Sequence, residues 1–308
     1  MNTTRGRLVI RLARAAPAVA ALATLAGCGG VLDPQGPVGE GQKAILLNSL
    51  AIMLCVIVPT IVTTVAFAWW YREGNPKARY QPTFAYSGRI ELVTWSIPVL
   101  IILFLGGITW ISSHELDPFK PLPSADNRKP LEIQVVSLDW KWLFIYPDQG
   151  IAAVNQLTVP AGVPVHFSLT SASVLNSFFV PQLGSMIYNM SGMNSELNLQ
   201  ANRPGNYPGL STHFSGDGFP GMHFTLHAVP DAEFENWVRS VRADGPALDR
   251  ASYGELSKQS LNVKPYTYRS AEPGLYQDIV TQKLPPGPGP DEGRGGTGVK
   301  PVSTNKEG

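Results

Sequence analysis

Side chains able to do chemistry are few in this chain, and their spacing says more than their number. Five histidines and two cysteines are spread over 308 residues. His223 and His227 stand four apart in a segment that reads as a strand, so they share a face but lie roughly 13 Å apart at about 3.3 Å per residue. Ligands of one zinc or copper ion sit at about 2 Å from it, so this pair alone cannot hold one. His213 could approach from a loop, which leaves a His-rich metal site as the weaker reading of these residues. His166 alternates with Val165 and Phe167 and reads as solvent-facing. There is no Ser/His/Asp or Cys/His arrangement and no phosphate loop, which argues against a stand-alone enzyme. His213 stands in the run Ser211-Thr212-His213-Phe214-Ser215-Gly216-Asp217-Gly218-Phe219-Pro220-Gly221-Met222.

The elements that must position these residues begin with an export signal. The chain is 44% hydrophobic and 15% charged, with a formal net charge of +1. That balance gives no reason to expect nucleic acid as a partner. Arg5, Arg7, Arg11 and Arg14 precede a short apolar run, Ala15 to Ala26, too short to span a bilayer. It ends in Leu25-Ala26-Gly27-Cys28, which resembles the lipobox of bacterial lipoproteins. Residues 1–27 therefore read as a lipoprotein signal peptide, and Cys28 as the acylated first residue of the mature chain.

Two uncharged apolar stretches follow, Ala44 to Trp70 and Leu92 to Ile111. Each meets the requirement of about 20 residues for a membrane helix. Pro59 interrupts the first, which neighbouring groups can accommodate. Trp69, Trp70 and Tyr71 end it, and Trp95 and Trp110 lie near the ends of the second, as suits the headgroup boundary. The loop between them carries Arg72, Lys77, Arg79 and Arg89 against Glu73, and is assigned to the cytoplasm by the positive-inside rule. The lipobox independently requires the mature N-terminus outside. The expected order is a periplasmic N-terminus over 28–43, helices over 44–71 and 90–112, and a cytoplasmic loop over 72–89. Cys55, inside the first span, behaves as a small apolar group. The exported domain that follows the second span thus contains no cysteine.

After a Pro-rich linker over 113–130, short β-type segments succeed one another: Leu131 to Leu138, Trp140 to Tyr146, Val154 to Val159, Val163 to Leu169, Val174 to Val180, Leu197 to Gln200 and Met222 to Val229. Gly, Pro and Asn punctuate between them. Such spacing predicts an antiparallel β-sandwich over 131–230. A helical extension over 231–283 follows, capped by Asp231 through about Ala243, with a second helix around Ala247 to Leu261. The Pro/Gly-rich tail, 284–308, reads as disordered.

The strand Val174-Leu175-Asn176-Ser177-Phe178-Phe179-Val180-Pro181 resembles the copper-domain strand of haem–copper oxidase subunit II. In the copper-binding branch of that family a His precedes Ser-Phe, and a Tyr-x-Gly turn leads into Cys-x-Glu-x-Cys-x-x-x-His-x-x-Met. Here Tyr207-Pro208-Gly209 leads into the polar run above without a gap. The resemblance puts Asn176 and Phe219 at the His positions, Ser211 and Ser215 at the Cys positions, and His213 at the Glu; only Met222 is kept. A dinuclear copper centre needs bridging thiolates, and hydroxyls and an amide are poor substitutes. This copper-less pattern, with the lipobox, is similar to subunit II of the bo-type ubiquinol oxidases. The likeness runs from Cys28 to about Val280 and includes Asp139-Trp140-Lys141-Trp142.

The resemblance implies a two-helix transmembrane hairpin followed by a cupredoxin-like sandwich. It implies an inner-membrane, multi-pass subunit that binds no cofactor and carries no catalytic residue or metal. Haems and copper would reside in a catalytic subunit I, with subunits III and IV, membrane lipid and ubiquinol as further partners and no role for cytochrome c. The subunit would serve assembly and stability and cap the outer face over the haem region of a proton-translocating oxidase that reduces dioxygen to water. Trp140 and Trp142 would be sandwich core or pack on the catalytic subunit. Glu91 would stand at the mouth of a proton-input channel of that subunit, although a carboxylate at a helix N-terminus is also stabilised simply by the dipole. The rival readings are a copper-bearing cytochrome c oxidase subunit, and a periplasmic lipoprotein that uses its sandwich for binding or structure.

Overall fold

The structure, a computed structural model, describes residues 29–79, 81–124 and 128–287. They divide into two units, Gly41–Lys120 and the described residues of Met1–Glu40 with Pro121–Gly308. Cys28, the signal segment and tail residues 288–308 lie outside the described residues.

Helix α1 (Pro37–Trp70) and helix α2 (Gly88–Glu115) are each long and apolar enough to cross a membrane. Pro37 opens α1 at a position where a missing N–H is harmless. Pro59 breaks its hydrogen-bond ladder, and the hydroxyls beyond it bond back to the backbone. Thr60 and Thr64 donate to Val56 O and Thr60 O, each at 2.7 Å, and Thr63 donates to Pro59 O. Large apolar side chains stand exposed along both helices, as suits contact with lipid or other helices.

The other unit is a two-sheet sandwich. Its strands are β1 (Leu131–Leu138), β2 (Lys141–Tyr146), β3 (Ile151–Val154), β4 (Gln156–Pro160), β5 (Val165–Ser171) and β6 (Asn176–Val180). They continue with β7 (Gly184–Asn189), β8 (Ser195–Leu199), β9 (Gly205–Ser211) and β10 (His223–Val229). The extension adds α3 (Asp231–Ala243), β11 (Ala247–Leu248), α4 (Arg250–Leu256), β12 (Tyr266–Tyr268), β13 (Ser270–Ala271) and α5 (Leu275–Val280). One sheet runs β12-β3-β2-β1-β5-β8 and faces a second, β4-β10-β9-β6-β7. Most neighbours are antiparallel, but β1 pairs with β5, and β4 with β10, in parallel. Alternation shows which residues face the core; it carries no sign of strand direction.

The segment Val154 to Val159, expected as one strand, is two. Asn155 takes a left-handed φ of 54° and breaks the run. Its side chain holds the corner, accepting from Trp142 N at 2.8 Å and donating to Val263 O at 2.7 Å. β3 therefore stays in the first sheet and β4 crosses to the second. In the extension, Pro230 rather than Asp231 is the N-cap, with Asp231 as the first helical residue. The second helix is confined to α4, started by an Asp249–Ser252 capping box.

β1 and β2 are covered on both faces. Trp142, Phe144 and Tyr146 point inward with Ile133 and Val135. On the outer face Val136, Leu138, Leu143 and Ile145 lie under Tyr253, Leu256, Tyr268, Leu275 and Tyr276 of the extension. Lys141 is caught between the layers, 2% exposed. Its Nζ donates to Lys258 O at 2.6 Å and Ser260 Oγ at 2.5 Å.

The N-terminal residues close this unit. Gln35 N donates to Gln182 O at 2.7 Å, Gly39 N to Leu183 O at 3.0 Å, and Asn202 N to Gln35 O at 2.8 Å. Val38, 7% exposed, joins the inner core. Residues 35–39 thus form a strap across the sandwich rim.

Burial lowers the Lys141 pKa from 10.5 to about 8, against the opposing pull of Asp139. Between those values the folded chain holds fewer protons than the unfolded one, so stability rises with pH through that window. Below pH 8 the full cost, about 3 kcal/mol, is present. Urea unfolding of the native chain and of Lys141→Met should therefore diverge. The native protein should gain stability from pH 7.5 to 9.5 relative to the variant; parallel curves would contradict this account of Lys141.

Candidate functional site

The polar run lies on the connection from β9 to β10, beside the start of β6. Asn176 opens β6, Ser211 closes β9, and Met222 immediately precedes β10. β6 and β9 are antiparallel neighbours, with Phe178 opposite Ser211. Ser211 Oγ donates to Asn176 Oδ1 at 3.2 Å, and Ser211 N to Met222 O at 3.2 Å. Ser215 Oγ lies 4.0 Å from Met222 Sδ. All four residues are buried, from 1% exposed at Asn176 and Met222 to 5% at Ser215.

The remaining two positions turn elsewhere. His213 is half-buried and meets the Tyr188 ring edge-on at 5.8 Å. Phe219 begins a short 3-10 turn, Phe219–Gly221, and packs on Phe214 at 5.6 Å. The structure thus gathers Asn176, Ser211, Ser215 and Met222, and leaves His213 and Phe219 at the margin.

Two tryptophans hold this arrangement from below. Trp140 is 3% exposed and adopts a left-handed φ of 64°. Its indole N–H donates to Ser215 O at 3.0 Å. Gly218 packs so closely on the Trp140 ring that a Cβ there would fall 2.2 Å from Cδ2. Trp142, fully buried, meets Phe178 and Phe224 at 5.6 Å each. Tyr207-Pro208-Gly209, expected as a turn, lies within β9, where Gly209 pairs with Phe224 so closely that a Cβ would fall 2.1 Å from its Cζ. Both aromatic residues are therefore core, the first of the two roles expected of them.

Beneath them lies a polar layer that the sequence did not mark. Asn189, fully buried, donates to Ser137 Oγ at 2.5 Å and Thr170 O at 3.2 Å. Ser173 donates to Asp139 Oδ1. Buried atoms without a partner include Asp139 Oδ2, Trp142 Nε1 and Asn189 Oδ1. Period-two alternation from Ile187 to Asn189 is the one sequence sign of an inward Asn189, within a strand, β7, whose other side chains are mostly exposed or half-buried.

Chemically, the cluster offers two hydroxyls, an amide and a thioether. Neither hydroxyl can replace a bridging thiolate, and the donor set does not fit copper. Among the described residues no group of three or more His, Cys, Asp or Glu could hold a metal ion. His223 is exposed at the start of β10; His227, half-buried, meets Asn206 Oδ1 at 2.7 Å, and burial holds its pKa below the ordinary value. His166 is half-buried rather than solvent-facing, with Asn198 Oδ1 at 3.1 Å and Glu132 Oε2 at 4.0 Å. Glu91 belongs to the helical unit, exposed in the first turn of α2, with its N–H on Ser87 O at 3.0 Å.

Residues 242–287, most of the extension, match the family described as COX Aromatic Rich Motif. The chain is 49% identical over 279 residues to a ubiquinol oxidase subunit 2 of Acetobacter aceti, covering 90% of each protein. It is 48% identical to a cytochrome bo(3) ubiquinol oxidase subunit 2 of Pseudomonas aeruginosa, over 84% of this chain and 78% of that one. The periplasmic domain of subunit II of the cytochrome oxidase of Bradyrhizobium japonicum is 25% identical over 37% of this chain and 94% of its own, with a TM-score of 0.36.

The resemblance predicts that ligand chemistry can be restored when the loop positions 213 and 219 swing in from the margin to join Asn176, Ser211, Ser215 and Met222. The full chain in detergent carrying Asn176→His, Ser211→Cys, His213→Glu, Ser215→Cys and Phe219→His should take up stoichiometric copper, measured by metal analysis and visible absorption. A variant that folds but binds no copper would show that the strands and turn are not arranged as described.

Proposed function

Because this chain belongs to the ubiquinol oxidase subunit 2 family, we propose that it acts as the second subunit of a proton-translocating oxidase that takes electrons from ubiquinol and reduces dioxygen to water. The observation that carries the subunit's own role is the donor set at the β9–β10 turn: hydroxyls, an amide and one thioether in a domain without cysteine. Such a set cannot relay electrons through paired copper ions. The haems and copper belong to a catalytic subunit I, and ubiquinol delivers electrons there directly from the membrane. Subunits III and IV complete the complex, and a soluble cytochrome c has no entry point on this chain. The outer domain serves assembly and stability, capping the catalytic subunit on its outer face.

The chain is an inner-membrane protein with a periplasmic domain, by three concordant arguments. The cationic loop favours the cytoplasm. The Leu25-Ala26-Gly27-Cys28 sequence, with acylation at Cys28, keeps the N-terminus outside. The strap of residues 35–39 is bonded to the sandwich, so the two must share a side, which an even number of crossings provides. Glu91, at the cytoplasmic start of α2, is assigned to the entrance of a proton channel in the catalytic subunit; a carboxylate at a membrane edge suits proton uptake.

Detergent purification through a tag on this chain should bring down a haem-containing complex with quinol-dependent oxygen consumption. Mass spectrometry of the same product should find the chain beginning at an acylated Cys28. Recovery of the chain free of haem would overturn the reading. Glu91→Ala should slow turnover of the assembled complex with haem content unchanged, and native turnover would remove the channel role.

A further inference from the structure

The loop joining α1 and α2 folds into a pair of cavities that share a wall. One, about 550 Å³, lies between the end of α1 and the start of α2 and is lined by Phe67, Tyr71, Phe84, Ile90, Arg79 and Gln81. The second, also about 550 Å³, reuses Arg79, Gln81 and Phe84 and adds the 82–86 turn. The first is walled by three aromatic rings and an isoleucine, and the second mainly by turn residues. Arg79 and Gln81 stand where they meet. Among the described residues no acidic side chain lines either cavity.

The charges around this loop are unbalanced. Arg72, Lys77, Arg79 and Arg89 face only Glu73 and Glu91 in sequence, and none of the salt bridges among the described residues involves Arg79. Arg72 is occupied differently, with its guanidinium 4.9 Å from the Trp69 ring centre. Among the described residues Arg79 has no ion-pair partner, and its guanidinium stands at the junction of an apolar and a polar cavity, at the depth where two membrane helices meet the cytoplasmic headgroups. A planar guanidinium matches a phosphate in two-point hydrogen bonding. Aromatic rings at that depth suit glycerol and the first acyl carbons. Basic pockets between helices on the cytoplasmic side are suited to anionic headgroups.

We infer that this paired cavity is a binding site for one anionic phospholipid, with the phosphate on Arg79 and Gln81 and the upper acyl chain against Phe67, Tyr71, Phe84 and Ile90. The inference rests on the inner-membrane reading above and gives that reading a specific lipid contact. The lipid would fasten the hairpin at its cytoplasmic end by an interaction that a zwitterionic lipid, whose own ammonium competes for the phosphate, makes less well.

The test uses the intact complex exchanged into mixed micelles of phosphatidylglycerol or phosphatidylcholine, with retained lipid measured by native mass spectrometry. The native complex should keep phosphatidylglycerol preferentially. Arg79→Gln should weaken that retention about tenfold, the loss of one charge-assisted hydrogen bond. Lys77→Gln removes the same charge from an exposed position outside both cavities and should change little. Equal retention of phosphatidylcholine, an equal loss in Lys77→Gln, or full retention in Arg79→Gln would each overturn the site. Displacement by inorganic phosphate alone would reassign it to a free anion. A complex that keeps its haem and quinol oxidation but fails these tests loses the lipid site and leaves the oxidase reading standing.

Discussion

Double burial of β1 and β2 is the constraint on which the outer unit depends. A strand pair with apolar residues on both faces cannot be satisfied by one opposing sheet. The five-stranded sheet covers the inner face, and the aromatic-rich extension covers the outer one. Trp142 is the centre of the inner contact, and losing so large a buried ring would cost about 3–5 kcal/mol. Lys141 sits one residue away and points to the other side, where its amine holds the 258–260 segment through the Lys258 carbonyl and the Ser260 hydroxyl. A single strand therefore registers the sandwich core and the extension at once. That explains why the extension includes β12 at the edge of the first sheet instead of packing as separate helices.

The same frame positions the β9–β10 turn. Trp140, between β1 and β2, reaches to Ser215, and Gly218 leaves room for its ring. The cluster of Asn176, Ser211, Ser215 and Met222 is thereby kept in shape by packing and hydrogen bonds. Ser211 bonds to Asn176, and Ser215 rests against Met222. The turn is part of the packing.

Much of this was legible in the residues themselves. β1 matched its alternation from Leu131 to Val135, where inward apolar and outward polar positions differ in burial as well as kind; beyond Val135 every position is buried. The meeting of Asn176, Ser211, Ser215 and Met222 was legible only through the family resemblance, which aligned those positions; no local spacing pairs them, and the register sets Phe178 rather than Asn176 opposite Ser211. Other features depend on interactions that no local pattern carries. Asn155 splits an apparently continuous strand through a backbone angle that only its long-range partners make worthwhile. β7 presents Met186 and Tyr188 outward, so its alternation looks inverted. The parallel pairings join segments whose order in space is set by the whole sandwich. The second helix of the extension stops at Leu256, and the backbone just beyond it supplies the carbonyl that Lys141 takes.

The strap makes the outer unit discontinuous along the chain. Its rim is built partly from residues made before either membrane crossing, and partly from residues made after both. Completion of the sandwich must therefore wait for insertion of the hairpin, whatever the speed at which individual strands form. A truncated fragment starting beyond α2 would leave the Gln182–Leu183 carbonyls and the seat of Val38 open to water. Such a fragment is a wounded domain, whose solubility and lifetime would report on the missing edge.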